Sequence, residues 1–318
     1  LSVVFHDLSN SGNFLLVSPS STSISGYQYI IDKLNLIYNG TNLNGVQGNN
    51  TYINFCLAQK KINGNLYTEN LSQVNNVLDA SNLDKTNSDQ INSIIIASGT
   101  FPNFPTNKYI NIYIVDSILD NDVTDDIGIA GFATLPSAHG TYRDGIYVTR
   151  SFLMSTNPSL NTNMKMLAHE MGHYLGLFHT FGICDPNVIG NLPNCSCDND
   201  NCLFNGDMVC DTQPNMLQMS EYTCIASTFP NTCSDVIPSL TDGTHSLVEV
   251  SDPKQNFMDY GNWSCQYQFT PGQIQRMNFM VDPIYGPRKS LLGQSECVNC
   301  FALNDCNFSI TPNIPLSN

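Results

Sequence analysis

The sequence has few charged residues, and basic residues are the scarcest of them. Only 12% of the 318 residues are charged, and 12 Lys and Arg stand against 27 Asp and Glu, for a net charge of −15. Such an acidic chain has no electrostatic attraction for nucleic acid or for an anionic membrane, so we expect neither as a partner. The sequence also lacks any apolar run of about 18 residues, and we therefore expect no membrane span.

The start of the chain lacks the basic and apolar segments of a secretory leader. The first residue is Leu1 rather than Met, so we expect a mature fragment from which leader and pro-segments have been removed. Apolar residues make up 41% of the sequence, which is enough for a real core. The length suits one large domain with two subdomains, or a domain with an extension.

Cysteine, in contrast, is abundant and clustered. Of the 12 cysteines, eight lie between residues 184 and 265, and three more follow residue 296. Cytosolic enzymes rarely group thiols in this way, so we expect disulfides, an oxidising compartment and a secreted protein. A thiolate zinc site formed by CSCDNDNC (195–202) with Cys210 is the alternative for part of this cluster.

Apolar spacing predicts a regular first half and an irregular second half. The predicted strands are 2–6, 52–58, 109–115, 128–136 and 145–149, and the predicted helices are 22–38, 161–175 and 270–280. We therefore expect an N-terminal subdomain with a sheet and a metal-binding helix over 1–178. A disulfide-laced subdomain with one helix would follow over 179–292, and a Cys-bearing tail over 293–318.

One segment carries a complete metal-site motif, HEMGHYLGLFH at 169–179. His169 and His173 are four residues apart on a predicted helix, so both project from one face as two ligands of one metal require. Gly176 permits the turn that brings His179 back as a third ligand. Three neutral imidazoles leave a fourth position open, which is typical of a catalytic zinc site.

The residue types of this motif indicate a hydrolytic mechanism. Zn²⁺ would polarise the scissile carbonyl and a bound water, and Glu170 would take the water's proton and pass it to the leaving amine. Two alternatives stay open. One is a zinc-binding recognition or adhesion domain without hydrolytic activity. The other is a disulfide-stapled structural module with incidental histidines.

The extended motif is shared by the metzincin peptidases, and the second half of the chain selects among them. The informative segments are CLFNGDMVCDT (202–212), NFMDY (256–260) and FTPGQIQRM (269–277). Together they resemble the pappalysin family. The resemblance implies an α/β (α+β) zincin fold with a twisted, mostly parallel sheet, a backing helix, an active-site helix and an irregular, disulfide-rich C-terminal subdomain. It also implies a secreted zinc metalloendopeptidase, expected to be monomeric, that cleaves extended protein or peptide substrates.

The same resemblance assigns roles around the metal. Met258 is expected to form the Met-turn, an apolar floor beneath the imidazoles, and Tyr260 to support the tetrahedral intermediate. The strand containing Gly131, Phe132 and Ala133 is expected to bind substrate by strand addition.

The resemblance also bears on the substrate residue after the scissile bond (P1′) and its pocket (S1′). Arginine-preferring family members have an acidic residue shortly after the tyrosine. Here Gly261, Asn262 and Trp263 follow Tyr260 instead. We therefore expect no arginine preference and a shallow, apolar S1′ pocket at Trp263.

Two further expectations concern the irregular half. The resemblance implies structural calcium near Asp207, Asp211 and Thr212, whose hard oxygen atoms suit Ca²⁺. It also implies the disulfides Cys202–Cys233 and Cys224–Cys265.

Overall fold

The structure is a computed structural model that describes residues 1–8, 26–41, 46–58, 63, 83–98, 103–120, 127–153, 160–182, 202, 204, 206–216, 224–225, 229–233, 236–238, 247–249 and 251–292. The strands are β1 (Ser2–Asp7), β2 (Cys56–Leu57), β3 (Leu83–Asp84), β4 (Ile110–Val115), β5 (Ile118–Asp120), β6 (Ile127–Ile129), β7 (Gly131–Ala133), β8 (Ile146–Thr149), β9 (Val236–Pro238) and β10 (Leu247–Glu249). The helices are α1 (Gly26–Tyr38), α2 (Ser88–Ala97), α3 (Arg150–Leu153), α4 (Leu160–Tyr174) and α5 (Pro271–Met280).

A five-stranded sheet organises the first half of the chain. Its strand order is β2-β1-β4-β8-β7, and only the edge strand β7 runs antiparallel to its neighbour. Every residue of β4 is buried, as its nearly continuous apolar sequence predicts for a central parallel strand. Helices α1 and α4 pack together against this sheet, and the Tyr38 hydroxyl donates to the Ala168 carbonyl at 3.1 Å. The sheet thereby fixes the helix that carries the metal motif.

The predicted strand 128–136 is wrong as a single element. Strand β6 pairs with β5 in a separate three-stranded sheet, whereas β7 pairs with β8 at the edge of the main sheet. The chain changes sheets at Ala130, whose carbonyl accepts a hydrogen bond from the Thr149 amide at 2.9 Å. The predicted strand 52–58 is likewise reduced to β2, because Tyr52 has a φ of 60°, which no strand residue adopts.

The disulfides of the second half agree with the expectation only in part. Cys224 and Cys265 are bonded, as the resemblance implied. The expected Cys202–Cys233 bridge is wrong, because Cys202 bonds Cys210, and Cys233 belongs to another disulfide. The turn at 206–212 brings the Cα atoms of Cys202 and Cys210 to 4.8 Å. Both sulfurs are therefore used, which excludes the alternative thiolate zinc site that needed them.

Helix α5 begins as predicted. Thr270 accepts from the Gln273 amide, the Gln273 side chain accepts from the Thr270 amide, and Pro271 occupies the first turn. The predicted tail 293–318 lies outside the described residues, and the division at residue 178 stays a prediction. Within the described part of the chain, no helix combines the length and apolar character needed to cross a bilayer.

Candidate active site

The three motif histidines converge on one point. His169 and His173 project from α4, and His179 comes from the loop that follows it. Their Nε2 atoms lie 3.1 Å (His169–His173), 3.0 Å (His173–His179) and 3.2 Å (His169–His179) apart. Zn–N bonds of about 2.0–2.1 Å in tetrahedral geometry separate the ligand nitrogens by about 3.3 Å. The triangle therefore has the dimensions of a zinc site.

In His169 and His173, hydrogen bonds to Nδ1 leave Nε2 as the nitrogen that faces the point where the three rings meet. Nδ1 of His169 donates to the Phe257 carbonyl at 2.7 Å, and Nδ1 of His173 donates to the Leu177 carbonyl at 2.8 Å. Each Nε2 therefore presents a lone pair to the others, an arrangement that repels unless a cation accepts it. Burial lowers the pKa of His169 to about 3 and that of His173 to about 4, so both rings are neutral, as metal ligands must be.

The end of α4 delivers the third histidine. The Gly176 amide donates to the His173 carbonyl and the Leu177 amide to the Gly172 carbonyl, both at 2.9 Å, which is a Schellman cap. Gly176 has a φ of 91°, and a Cβ there would lie 2.8 Å from Met280 Cγ. Only glycine satisfies both constraints, so Gly176 sets the direction in which the chain leaves the helix.

Glu170 is buried from solvent beside the histidines. Burial raises its pKa to about 8, and Oε2 has no hydrogen-bond partner among the described residues. A Cβ on Gly131 would lie 3.4 Å from Glu170 Cγ, so the edge strand β7 runs directly past the carboxylate. A cation at the histidines would favour the ionised carboxylate, which could then accept a proton.

Met258 packs against the helix that carries His169 and His173. Its side chain is fully buried, and a Cβ on Gly172 would approach Met258 Sδ to 2.5 Å. The thioether therefore packs against α4 between the two helical histidines, where only glycine leaves room. The Met258 carbonyl accepts from the Thr180 amide at 3.1 Å, which ties Met258 to the His179 loop.

Aromatic rings pack against two of the histidines, His169 and His179. The Tyr260 ring lies 4.6 Å from the His179 ring and 5.8 Å from the His169 ring, centroid to centroid. Phe181 stacks on His179 at 4.7 Å, and Trp263 meets His169 edge-on at 5.7 Å. The structure thus brings Tyr260 and Trp263 to the candidate site.

A buried carboxylate that the sequence analysis did not identify connects the loops of the site. Asp259 accepts from Thr180 Oγ1 at 3.1 Å and from Asn215 Nδ2 at 3.0 Å, and it pairs with Lys254 Nζ at 2.9 Å. Asp259 stands between Met258 and Tyr260, so this network fixes the segment around Met258 to the loop after His179. The sequence could have indicated a role for Asp259, because it lies inside the NFMDY segment between two expected site residues.

Besides Lys254, two further buried cations were missed. Lys165 lies on α4 one turn before His169, and Arg288 is fully buried against Asp144 and the end of α4. The burial of Lys165 could have been predicted from the sequence, because this lysine lies among the apolar residues Met164 and Leu167 in a chain with only 12 Lys and Arg.

The three expected calcium ligands occupy different surroundings. Asp207 and Thr212 are buried, and burial raises the pKa of Asp207 to about 7. Asp211 is instead exposed at the start of α5, where its Oδ1 accepts from Thr270 Oγ1 at 2.6 Å and its Oδ2 from the Gly272 amide at 2.7 Å. Asp211 is therefore engaged in capping that helix.

Comparison with known proteins identifies the family. A model of the peptidase family described as Pregnancy-associated plasma protein-A matches residues 100–282, which include the histidine motif and Met258. An extracellular metalloprotease of Verticillium alfalfae is 28% identical over 176 residues, covering 54% of this chain and 49% of that protein. Pappalysin-1 of Homo sapiens is 28% identical over 203 residues, covering 58% of this chain and 11% of that protein. The chain thus spans about half the length, or less, of these curated relatives.

Solved structures support the fold. Mature mirolysin of Tannerella forsythia, solved in complex with a cleaved peptide, matches with a TM-score of 0.57 and 21% identity, over 91% of this chain and 93% of that chain. This likeness confirms the expected metzincin-like α/β fold with its mostly parallel sheet. Because the family model matches more than half of the residues, the chain belongs to the pappalysin family of metzincins, the peptidase family described as Pregnancy-associated plasma protein-A.

Proposed function

We propose that this protein is a zinc-dependent endopeptidase that hydrolyses extended protein or peptide substrates. The observation that carries the proposal is the convergence of three neutral imidazole Nε2 atoms beside the buried carboxylate of Glu170, whose Oε2 has no hydrogen-bond partner among the described residues. His169, His173 and His179 would hold the ion. Zinc bound there supplies Lewis acidity, which polarises a water and the scissile carbonyl.

Glu170 is proposed as the proton carrier of the reaction. Its carboxylate would accept the proton of the attacking water and then deliver it to the leaving amine nitrogen. The dry surroundings strengthen every electrostatic interaction of this carboxylate, and the neighbouring edge strand fixes its distance from a bound peptide. Tyr260, whose ring lies beside His169 and His179, would donate its hydroxyl hydrogen to the oxyanion.

The substrate is proposed to bind as an extra strand on β7. Gly131, Phe132 and Ala133 are each only partly buried, and β7 forms the outer edge of the main sheet. A peptide hydrogen-bonded to this edge would pass Glu170, because Gly131 lies against that side chain. Phe132 is stacked on Tyr147 at 4.6 Å, which stiffens the edge.

We also propose a structural calcium at Asp207 and Thr212. Asp207 Oδ1 accepts from the Val209 amide at 3.0 Å, whereas Oδ2 has no hydrogen-bond partner of good geometry among the described residues. Leaving a buried carboxylate oxygen unsatisfied is costly, and a divalent cation would remove that cost.

Secretion is part of the proposal. It is supported by the disulfides and by relatives named extracellular metalloproteases. The enzyme is also proposed to act as a monomer.

The first test is cleavage of an unbiased peptide library by the wild type beside Glu170→Gln. We expect wild-type cleavage that a zinc chelator abolishes, and a loss of at least about 100-fold in the variant, because the proton carrier is gone while the shape is kept. Metal analysis should find zinc in both proteins. Asp32→Asn, at an exposed carboxylate on α1, is the matched control and should cleave normally.

Two outcomes would contradict the proposal. A wild type that holds zinc and cleaves nothing would leave a recognition domain without hydrolytic activity. A wild type without zinc would reduce the three histidines to structural residues.

A further inference from the structure

Lys165 is a buried cation on the helix that carries the metal motif. The residue is only 2% exposed, although it lies on α4 between apolar neighbours. Residues four apart share one face of a helix, so Lys165 lies on the same side of α4 as His169, one turn earlier. The position is unusual because burying an ammonium group is costly.

The ammonium group has no carboxylate partner among the described residues. Nζ donates to the Trp263 carbonyl at 2.9 Å and to the Ser264 carbonyl at 3.3 Å. Burial lowers the pKa of Lys165 to about 8, so the group still carries its charge at neutral pH. Two of its three N–H donors are thus accounted for, and within the described part of the chain its charge is met by peptide dipoles alone.

The same turn that accepts these hydrogen bonds borders the candidate active site. Trp263 begins a 3-10 turn ending at Cys265, which is anchored by the bridge to Cys224. The Trp263 ring meets the His169 ring edge-on, so Trp263 connects Lys165, which its carbonyl binds, to the first metal ligand. A peptide lying along β7 past Glu170 would place its P1′ side chain beside this turn.

We propose that Lys165 forms a cationic floor of the S1′ pocket and selects substrates with Glu or Asp at P1′. This inference rests on the proposed peptidase function. A substrate carboxylate supplies the negative charge that Lys165 lacks, through a charge-assisted hydrogen bond to the remaining donor. A basic P1′ side chain meets a like charge in a site from which water is largely excluded, and is rejected. The expected apolar pocket at Trp263 thereby gains a polar, charge-selective base.

The test uses peptides that are identical except at P1′, which is Glu, Gln, Leu or Arg. We expect wild-type kcat/KM to be about 10- to 100-fold higher for the Glu peptide than for its isostere Gln, with the Arg peptide cleaved most slowly. Lys165→Met, which keeps the length of the side chain but removes its charge, should bring the Glu/Gln ratio close to one. Lys165→Arg should keep the ratio above one, and Lys289→Met, at an exposed lysine, should leave it as in the wild type.

The readout is a ratio within each variant, so a general loss of activity cannot imitate the effect. Cleavage of the Leu peptide by Lys165→Met shows that the variant is folded. If Lys165→Met fails to fold, the Glu/Gln ratios of the wild type and Lys165→Arg decide the question. A wild type that cleaves the Leu peptide but favours Gln over Glu, or a ratio unaffected by Lys165→Met, overturns the inference and leaves Lys165 as a brace of the Trp263 turn. A wild type that cleaves none of the peptides overturns the proposed function instead.

Discussion

At the scale of single residues, the site depends on where each imidazole proton is held. The carbonyls of Phe257 and Leu177 accept the Nδ1 protons of His169 and His173, so the Nε2 lone pairs point at one another. Phe257 precedes Met258, and Leu177 follows the glycine that ends α4. The residues that shape the site therefore also fix the tautomers of its ligands, and a shift of either backbone segment would weaken metal affinity.

Asp207 provides a residue-scale test of the proposed calcium. Calcium at about 100 times its dissociation constant would stabilise the fold by about 2.7 kcal/mol, which corresponds to roughly 4 °C in Tm for a chain of this size. We expect this calcium-dependent rise in the wild type, measured by thermal unfolding with zinc held constant. Asp207→Ala should abolish the rise, whereas Asp32→Ala, at an exposed carboxylate on α1, should retain it. An equal rise in Asp207→Ala would place the calcium elsewhere.

At the scale of elements, the end of α4 is the most constrained junction of the site. The Arg276 guanidinium of α5 donates through Nε to the Gly176 carbonyl at 2.6 Å and through Nη1 to the Met208 carbonyl at 3.3 Å. One side chain therefore joins the metal helix, the C-terminal helix and the turn containing Asp207. The position of His179 depends on this junction, because the loop that carries it starts there.

We expect Gly176→Ala to destabilise the fold by about 2–3 kcal/mol, because it adds backbone strain and a contact with Met280. Zinc affinity should also fall, because His179 would leave the triangle. Urea unfolding and competition with a zinc chelator measure the two effects. Combining Gly176→Ala with Met280→Ala should recover only the part of the lost stability that comes from the contact with Met280, and not the part that comes from backbone strain. Gly128→Ala, where a Cβ would meet only the Ile118 carbonyl oxygen at 3.9 Å, is the control. Unchanged zinc affinity in Gly176→Ala would contradict this account.

Elements were predictable from the sequence where one local signal dominates. Helix α5 follows from its capping box, and β4 from its apolar run. Helix α2 was missed, because only its first half is polar and its apolar face begins late; Ile91, Ile94 and Ile95 have helical spacing, and Asn87 accepts from the amides of Asp89 and Gln90 as its N-cap. The division between β6 and β7 was not predictable, since it depends on which distant strand each segment pairs with.

The site was likewise predictable only where its residues are close together in the sequence. The histidine motif is local in sequence, and its spacing alone predicts a shared metal. The contacts of Asp259 with Thr180 and Asn215 join residues 79 and 44 positions apart. The pairing of Cys202 depended on a turn that the sequence did not indicate. Such contacts depend on three-dimensional packing, and no periodicity encodes them.

At the scale of the whole molecule, one buried ion pair joins the last described segment to the active-site half. Arg288 donates through Nη1 and Nη2 to the two oxygens of Asp144, at 2.6 and 2.9 Å, and both side chains are fully buried. Its Nε donates to the Tyr174 carbonyl at 2.7 Å, and the guanidinium stacks on the Tyr174 ring at 3.5 Å. Thr134, the residue after β7, donates its hydroxyl to Asp144 at 2.7 Å. The pair therefore connects the substrate edge, the end of the metal helix and the C-terminal segment.

We expect Arg288→Met to destabilise the protein by about 3–5 kcal/mol at neutral pH, because it leaves the Asp144 carboxylate buried without its partner. The double variant Arg288→Met with Asp144→Asn should lose less than the single variant, since no uncompensated charge remains. Urea unfolding of the wild type and both variants measures the coupling. Equal losses in the single and double variants would show that the charge pairing is not what holds this segment.

The pH dependence of the stability of Arg288→Met distinguishes the contribution of the Arg288 charge from that of its packing. Burial acts to raise the pKa of Asp144, but hydrogen bonds from His139 and Arg288 outweigh it and hold the pKa below its ordinary value. This pair therefore stabilises the wild type above the pKa of an unfolded Asp, about 3.9, and the contribution is lost as the pH falls through the lower folded pKa. In Arg288→Met the burial is no longer offset by arginine, so Asp144 is easier to protonate, and the variant recovers relative stability in acid. The free-energy difference between wild type and Arg288→Met should therefore shrink between pH 7 and pH values below about 4. A difference that stays constant over this range would assign the effect to the packing of Arg288 on Tyr174 rather than to its charge.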